Sequence, residues 1–229
     1  MEKSNEQLQN ELDNLKKIVF RIMDFNFPDL DANINHYDFI TDEVVRRQLE
    51  LDFLKMMQTP ASNFNVYCQY GFFQIENLLN YYYTLRFLGK LEPEITAFFS
   101  FDDKSKYSRI SKVPYSLKWT KFSQEFLQTG KVGNVNTKTI NYDIQKITYV
   151  RNSSIHKNTL EIEKYEDNIL EKYNNLPGGR YTNDDEKNTY FTGMSISFKR
   201  TQNFSLVKNR LLELLSVIEK EIKKYQKEE

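Results

Sequence analysis

The stretch from about residue 63 to residue 88 constrains the fold most, because it predicts a helix that is apolar around much of its circumference. Its apolar residues recur at steps of three and four, but they cover more than one helical face. They are Val66, Tyr67, Tyr70, Phe73, Ile75, Leu78, Leu79, Tyr82, Leu85 and Phe87. A helix of this kind belongs at the centre of a helical protein. Gln74 and Glu76 interrupt the pattern, and a buried Glu76 calls for a cationic partner such as Arg86, Arg151 or a lysine.

Amphipathic patterns predict further helices on both sides of this stretch. They cover about residues 3–23, where the spacing is heptad-like, 41–58, 116–129, 141–151 and 204–224. Shorter or looser helical patterns follow Pro93 and cover residues 162–173. Residues 174–188 read as a loop, and residues 190–198 alternate weakly, which predicts a short strand or an extended segment. Since the 229 residues include only 7 Gly and 5 Pro, we expect an all-α fold rather than a turn-rich β sandwich.

The charge balance argues against a general polyanion binder, because 32 basic residues offset 32 acidic ones. Any contact with RNA must therefore come from a local basic patch. One such run holds Lys104, Lys106, Arg109 and Lys112, with Tyr107 inside it. This mixture is typical of a solvated loop, but it also suits contact with RNA phosphates and stacking of a base.

Other features exclude several classes of protein. Cys68 is the single cysteine and the chain has two histidines, so we predict no metal site and no cofactor, and we interpret His36 as an ordinary polar residue. No apolar run approaches the roughly 20 residues that span a bilayer, and the N-terminus lacks the apolar core of a signal peptide. We therefore expect a cytoplasmic protein with no membrane partner.

The segment from residue 147 to residue 158 carries the clearest chemical signal. It places Arg151, Asn152 and His156 between the apolar residues Ile147, Val150 and Ile155. On a continuous helix, five residues rotate by about 500°, so the arginine and histidine side chains would lie roughly 140° apart. If the helix unwinds after Arg151, both side chains can enter one cleft. An imidazole beside a fixed guanidinium suits acid–base chemistry on a phosphate ester.

The pattern Arg151-Asn152-x-x-x-His156 resembles the R-x4-6-H motif of HEPN domains, in the form where asparagine follows the arginine. The resemblance implies a HEPN-like four-helix bundle, with the motif after the third core helix. Residues 61–229 would form this bundle and residues 1–60 an N-terminal two-helix extension. Residues 157–200 would be a loop insertion before the last helix.

The resemblance also implies a function, since many HEPN domains are metal-independent endoribonucleases of toxin–antitoxin and antiviral defence systems. The implied catalytic residues are Arg151, Asn152 and His156, and the implied RNA-binding residues are Ser153, Lys157, Lys104, Lys106, Tyr107 and Arg109. Ser153 alternatively caps the next turn. Family members usually build the site between two protomers, so a homodimer and a cognate antitoxin or defence partner are expected. A non-catalytic module that binds RNA, nucleotide or a partner protein is the alternative, and a metalloenzyme is a weaker third.

Overall fold

The computed structural model describes residues 34–100, 106–127, 137–155, 159–176 and 181–226. The chain divides into two compact units, Met1–Thr41 and Asp42–Glu229. The described part of the first unit is a short 3-10 turn, Ile34–Tyr37, in which His36 is half-buried. The helix predicted over residues 3–23 lies outside the described residues, and the proposed division into residues 1–60 and 61–229 stays a prediction.

The described part of the second unit is built from eight α-helices, and it contains no strand. The helices are α1 (Glu43–Met57), α2 (Phe64–Arg86), α3 (Glu92–Phe99), α4 (Tyr115–Phe122), α5 (Thr137–Ile155), α6 (Thr159–Asn174), α7 (Asp184–Thr201) and α8 (Phe204–Gln226). A 3-10 turn, Ile110–Lys112, precedes α4, and a π-helical turn, Ser123–Leu127, follows it. The predicted all-α fold is confirmed.

Helix α2 lies at the centre of this unit, as its sequence predicts. It packs against α1, α4, α5 and α8, and most of its side chains are buried. Cys68, one of them, is fully buried, and burial raises the pKa of its thiol. A free thiol in this environment behaves as a small apolar core residue.

The C-terminal end of α2 is fixed by an ion pair to the π-helical turn. The Arg86 guanidinium donates to both carboxylate oxygens of Glu125, with an Nη2–Oε1 distance of 3.0 Å, and also to the Tyr82 hydroxyl at 3.1 Å. Two parallel bonds of this kind fix both distance and orientation. Arg86 is thereby committed to Glu125 and is not the cationic partner expected for Glu76.

Within residues 157–200, residues 159–174 and 184–200 are helical, so the predicted loop character is wrong there, and so is the strand or extended segment predicted at residues 190–198. Helices α6 and α7 pack against each other as a hairpin, and α7 also packs on α5. The Asn183 side chain accepts a hydrogen bond from the Glu186 backbone at 2.9 Å, which caps the start of α7. Close packing across Gly193 joins the two helices, since a Cβ there would meet the Tyr173 ring. Such long-range packing overrides a weak local alternation.

Candidate functional site

Helix α5 carries Arg151 on its inward face. Ile140, Ile144 and Ile147 form a buried row at steps of four and three, and Arg151 is the next position in that row. Its half-buried guanidinium lies over the ring of Phe72 on α2, with Cζ 4.7 Å from the ring centroid. This distance is within the range of a cation–π interaction. The guanidinium is therefore in contact with the core of the bundle through Phe72.

The residues from Arg151 to Ile155 remain helical, so the unwinding directly after Arg151 that would let both side chains enter one cleft does not occur. Helix α5 continues to Ile155, four residues beyond the predicted end. Asn152 is exposed, and its Oδ1 accepts a hydrogen bond from Arg151 Nη1 at 2.9 Å. The Ser153 hydroxyl donates to the Val150 carbonyl at 3.0 Å, which is a local bond to the helix backbone. His156 and Lys157 lie outside the described residues.

A set of polar groups lies along α2 near the Phe72 ring. Glu76 and Asn80 follow Phe72 at steps of four, so the three share one face of the helix. Lys118 on α4 is only 2% exposed; its ammonium donates to Asn80 Oδ1 and, at 3.5 Å, to the Ile110 carbonyl. Burial lowers the pKa of Lys118, and the nearby charge of Glu76 acts in the opposite direction. Lys118 is thus one cation whose charge interacts with that of Glu76, and a lysine is among the partners expected for Glu76 from the sequence.

Tyr115 at the start of α4 completes the surroundings of Phe72. The two ring centroids lie 4.6 Å apart, so one phenylalanine contacts both Tyr115 and Arg151. Burial raises the pKa of the Tyr115 hydroxyl above its ordinary value. Sequence analysis missed Phe72 and Lys118. Cys68, Phe72, Ile75 and Leu79 are spaced by four, three and four residues, which predicts that Phe72 lies on a buried face of the helix. No local pattern predicts the burial of Lys118.

The basic run enters the fold just before α4. Lys106 and Arg109 are exposed, whereas Tyr107 is half-buried and its backbone N–H donates to Thr96 Oγ1 at 2.9 Å. Lys104 lies outside the described residues. Arg109 and Tyr115 are six positions apart, so their Cα atoms lie within about 20 Å of each other even along a fully extended chain. Its contribution to an RNA surface stays a prediction.

The described ranges hold no group of three or more His, Cys, Asp or Glu side chains placed to bind a metal ion. No helix within those same ranges has both the length and the apolar character needed to cross a membrane. Comparison of the chain with protein-family models, curated proteins and solved structures finds no match.

Proposed function

We propose that this protein is a metal-independent endoribonuclease of a bacterial toxin–antitoxin or antiviral defence system. The observation that carries the proposal is the position of Arg151. Its guanidinium is oriented by Phe72 and Asn152 near the end of α5, where the Arg151-Asn152-x-x-x-His156 pattern resembles the HEPN motif. The all-helical architecture around it supports the same proposal.

In the proposed reaction, the ribose 2′-hydroxyl attacks the adjacent 3′-phosphate, and the 5′-oxygen of the next nucleotide leaves. The products are a 2′,3′-cyclic phosphate and a free 5′-hydroxyl. Arg151 stabilises the negative charge of the pentacovalent phosphorane, because a guanidinium stays protonated and donates two bonds at once. His156 transfers protons, which is the usual role of an imidazole near neutral pH.

Asn152 orients the guanidinium in this proposal. Its amide oxygen accepts a hydrogen bond from Arg151, and its side chain is exposed to solvent, where RNA would bind. Ser153 has no nucleophilic role here, because its hydroxyl is used in a bond to the Val150 carbonyl. Arg151 and Asn152 thus form a prearranged donor pair, and preorganisation of this kind reduces the cost of meeting a charged transition state.

One imidazole does not readily serve as both general acid and general base in the same cleavage. A two-fold homodimer supplies two copies of His156 and Arg151 to one cleft, which resolves the difficulty. We therefore propose a composite site between protomers. The RNA surface would extend along Lys157 and the basic run at Lys104, Lys106, Tyr107 and Arg109.

The alternative function is a non-catalytic helical module that binds RNA, nucleotide or a partner protein. The same geometry gives it one supporting observation, since a guanidinium packed over Phe72 also fits a purely structural role. The two functions differ in what the His156 substitution does: it abolishes cleavage in the first and leaves binding intact in the second.

The test is RNA cleavage in EDTA by the wild-type protein and four single variants. Arg151→Ala and His156→Ala are expected to lose cleavage by at least about 100-fold, the lower range for a general acid–base group. The chain offers matched controls: His36→Ala replaces the other histidine, and Arg47→Ala replaces an exposed arginine on α1. Circular dichroism and thermal melting establish that each variant is folded. Cleavage that persists in both motif variants contradicts the proposal.

A mixing experiment tests the composite site. Wild-type and His156→Ala protomers are unfolded together, refolded at varied ratios and assayed at constant total protein. If both copies of His156 act on one linkage, activity falls with the square of the wild-type fraction. A linear fall contradicts a shared site and indicates that each protomer acts alone.

A further inference from the structure

A cavity of about 500 Å³ lies between α5 and α7, away from Arg151. It is lined by Thr139, Tyr142, Asp143, Lys146, Tyr181, Tyr190, Phe191 and Met194. Its volume falls within the range of roughly 300–1,000 Å³ that small-molecule sites occupy. Tyr142 and Arg151 are nine residues apart on α5, which places them about 14 Å apart along the axis and half a turn around it. The cavity is thus separate from the proposed catalytic residues.

Aromatic rings form one wall of the cavity. Tyr142 and Phe191 stack with an interplanar angle of 15° and a centroid distance of 5.6 Å, while Tyr190 meets Phe191 edge-on at 5.4 Å. Tyr181 lies 5.9 Å from Phe191. Tyr142 and Tyr181 are each 42% exposed, which is unusual for large rings grouped together on a folded surface. A wall of this kind offers flat, polarisable faces to a planar ligand.

The charged groups of the cavity are already neutralised by one another. The buried Asp143 carboxylate accepts from Lys146 Nζ at 2.8 Å and from Arg210 Nε at 2.6 Å, and Arg210 also pairs with Glu213. Asp143 and Lys146 are the two charged residues of the lining and sum to zero, and Arg210 and Glu213 outside the lining also sum to zero, so neither a strongly cationic nor a strongly anionic ligand gains from entering. A neutral ring with hydrogen-bonding groups on its edge suits both the charges and the aromatic wall.

A second cavity of about 340 Å³ shares Tyr142 with the first. It is lined by Leu127, Lys138, Asn141 and Tyr142. Exposed Lys138 and half-buried Asn141 give it a polar lining, in contrast to the aromatic wall of the first cavity. A ligand with a flat ring and a polar substituent could therefore place the ring in the first cavity and the substituent in the second, with Tyr142 between them.

From these features we infer that the cavity between α5 and α7 binds a nucleobase, with the attached ribose directed towards the Lys138 cavity. The base stacks on the wall formed by Tyr142 and Phe191, and its polar edge meets Asp143 and Lys146. The base belongs either to single-stranded RNA or to a free nucleoside. The inference goes beyond the proposed nuclease, because the cavity uses neither Arg151 nor His156.

The test measures binding rather than cleavage, so that its failure is distinguishable from failure of the nuclease. The probes are the four ribonucleosides and fluorescein-labelled 2′-O-methyl oligonucleotides, which lack the attacking hydroxyl. Binding is followed by calorimetry for the nucleosides and by fluorescence anisotropy for the oligonucleotides. The variants are Tyr142→Ala, Tyr142→Phe and, as control, Tyr165→Ala, which replaces a 55% exposed tyrosine on α6 outside the cavity.

We expect Tyr142→Ala to weaken binding by about 5- to 150-fold, the range for loss of one base–aromatic stack. Tyr142→Phe keeps the ring and Tyr165→Ala leaves the cavity intact, so both retain wild-type affinity. Tyr142-dependent binding of oligonucleotides without binding of nucleosides assigns the base to an RNA strand. Tyr142-dependent binding of one nucleoside assigns it to a free ligand. Absence of binding by either probe at millimolar concentration, or binding that Tyr142→Ala leaves unchanged, overturns the inference.

Discussion

Replacement of Gly193 by alanine tests the packing of the α6–α7 hairpin. A Cβ at residue 193 would lie 2.5 Å from Cγ and 2.9 Å from Cδ2 of Tyr173, and closer still to its Cβ. Carbon atoms pack at about 3.5–4.0 Å, so the overlap is on the order of 1 Å. Because the Cβ of Tyr173 is fixed to the backbone of α6, rotation of the ring does not relieve the contact. The two helices must separate.

Two effects of opposite sign determine how Gly193→Ala changes the free energy of unfolding. Alanine is favoured over glycine within a helix by about 1 kcal/mol, which on its own stabilises the protein. Overpacking costs about 1–3 kcal/mol when the backbone has to shift, and this contact lies at the severe end. We therefore expect Gly193→Ala to lower the free energy of unfolding by about 1–2 kcal/mol.

Gly71 on α2 provides the matched control. It is also buried within a helix, but a Cβ there would lie 3.6 Å from Met56 Sδ and 3.6 Å from Val207 Cγ1, which is ordinary contact. Gly71→Ala should therefore keep the propensity gain and raise stability by up to about 1 kcal/mol. Urea denaturation followed by circular dichroism measures both variants. If Gly193→Ala is as stable as Gly71→Ala, the close packing of α6 on α7 is refuted.

Three further predictions concern stability. Gln202 ends α7 with φ = 49°, so Gln202→Gly should raise the free energy of unfolding by up to about 1 kcal/mol, and an unchanged or lower melting temperature contradicts this. Arg86→Lys removes the two-point contact with Glu125 and should cost about 1–2 kcal/mol in urea denaturation; Arg47→Lys, at an exposed site, should cost little, and equal effects would argue against the Arg86 contact. Burial raises the pKa of several tyrosine hydroxyls, that of Tyr67 to about 12. The others are Tyr82, Tyr83, Tyr115 and Tyr149. Their contribution to stability is complete below about pH 10 and is lost as the pH rises towards the folded-state values, so the urea midpoint should fall between about pH 10 and pH 12; a flat or rising midpoint contradicts it.

The sequence predicted the elements that carry strong periodicity. Helix α2 begins and ends within two residues of its predicted limits. Its apolar periodicity and Gly89, just beyond its end, are both visible in the local sequence. The predicted helix over residues 41–58 begins two residues too early, since Asp42 caps α1 and Glu43 is its first residue. Errors of this size at a helix start are expected here, because Thr41 and Asp42 both have side chains that can cap a helix and their local signals are nearly the same.

The hairpin of α6 and α7 was harder to predict, because its cause is not local. Met194, Ile196 and Phe198 alternate as in a strand, but the capped start at Asn183 and the approach of Tyr173 to Gly193 favour a helix. The contact between these two helices joins residues 20 positions apart on different helices, so the periodicity within either helix does not reveal it. The aromatic cavity was missed for the same reason, since its walls come from α5 and α7.

The candidate site was predicted in part. Arg151 stood out by its residue type and its neighbours, but its contact with Phe72 joins two helices and was not predicted. The predicted end of the helix at residue 151 was wrong, because the hydroxyl of Ser153 and the inward row of isoleucines are both compatible with a helix that continues to Ile155. The roles of Arg151, Asn152 and His156 in RNA cleavage stay predictions.

The most direct measurement of the central proposal is the chemical identity of RNA termini after incubation with purified protein in EDTA. A short labelled RNA is separated on a denaturing gel, and its fragments are analysed by mass spectrometry. The proposal predicts fragments that end in 2′,3′-cyclic phosphate with wild-type protein and none with His156→Ala. Intact RNA after incubation with wild-type protein that circular dichroism shows to be folded, or fragments that carry 3′-hydroxyl ends, would contradict it.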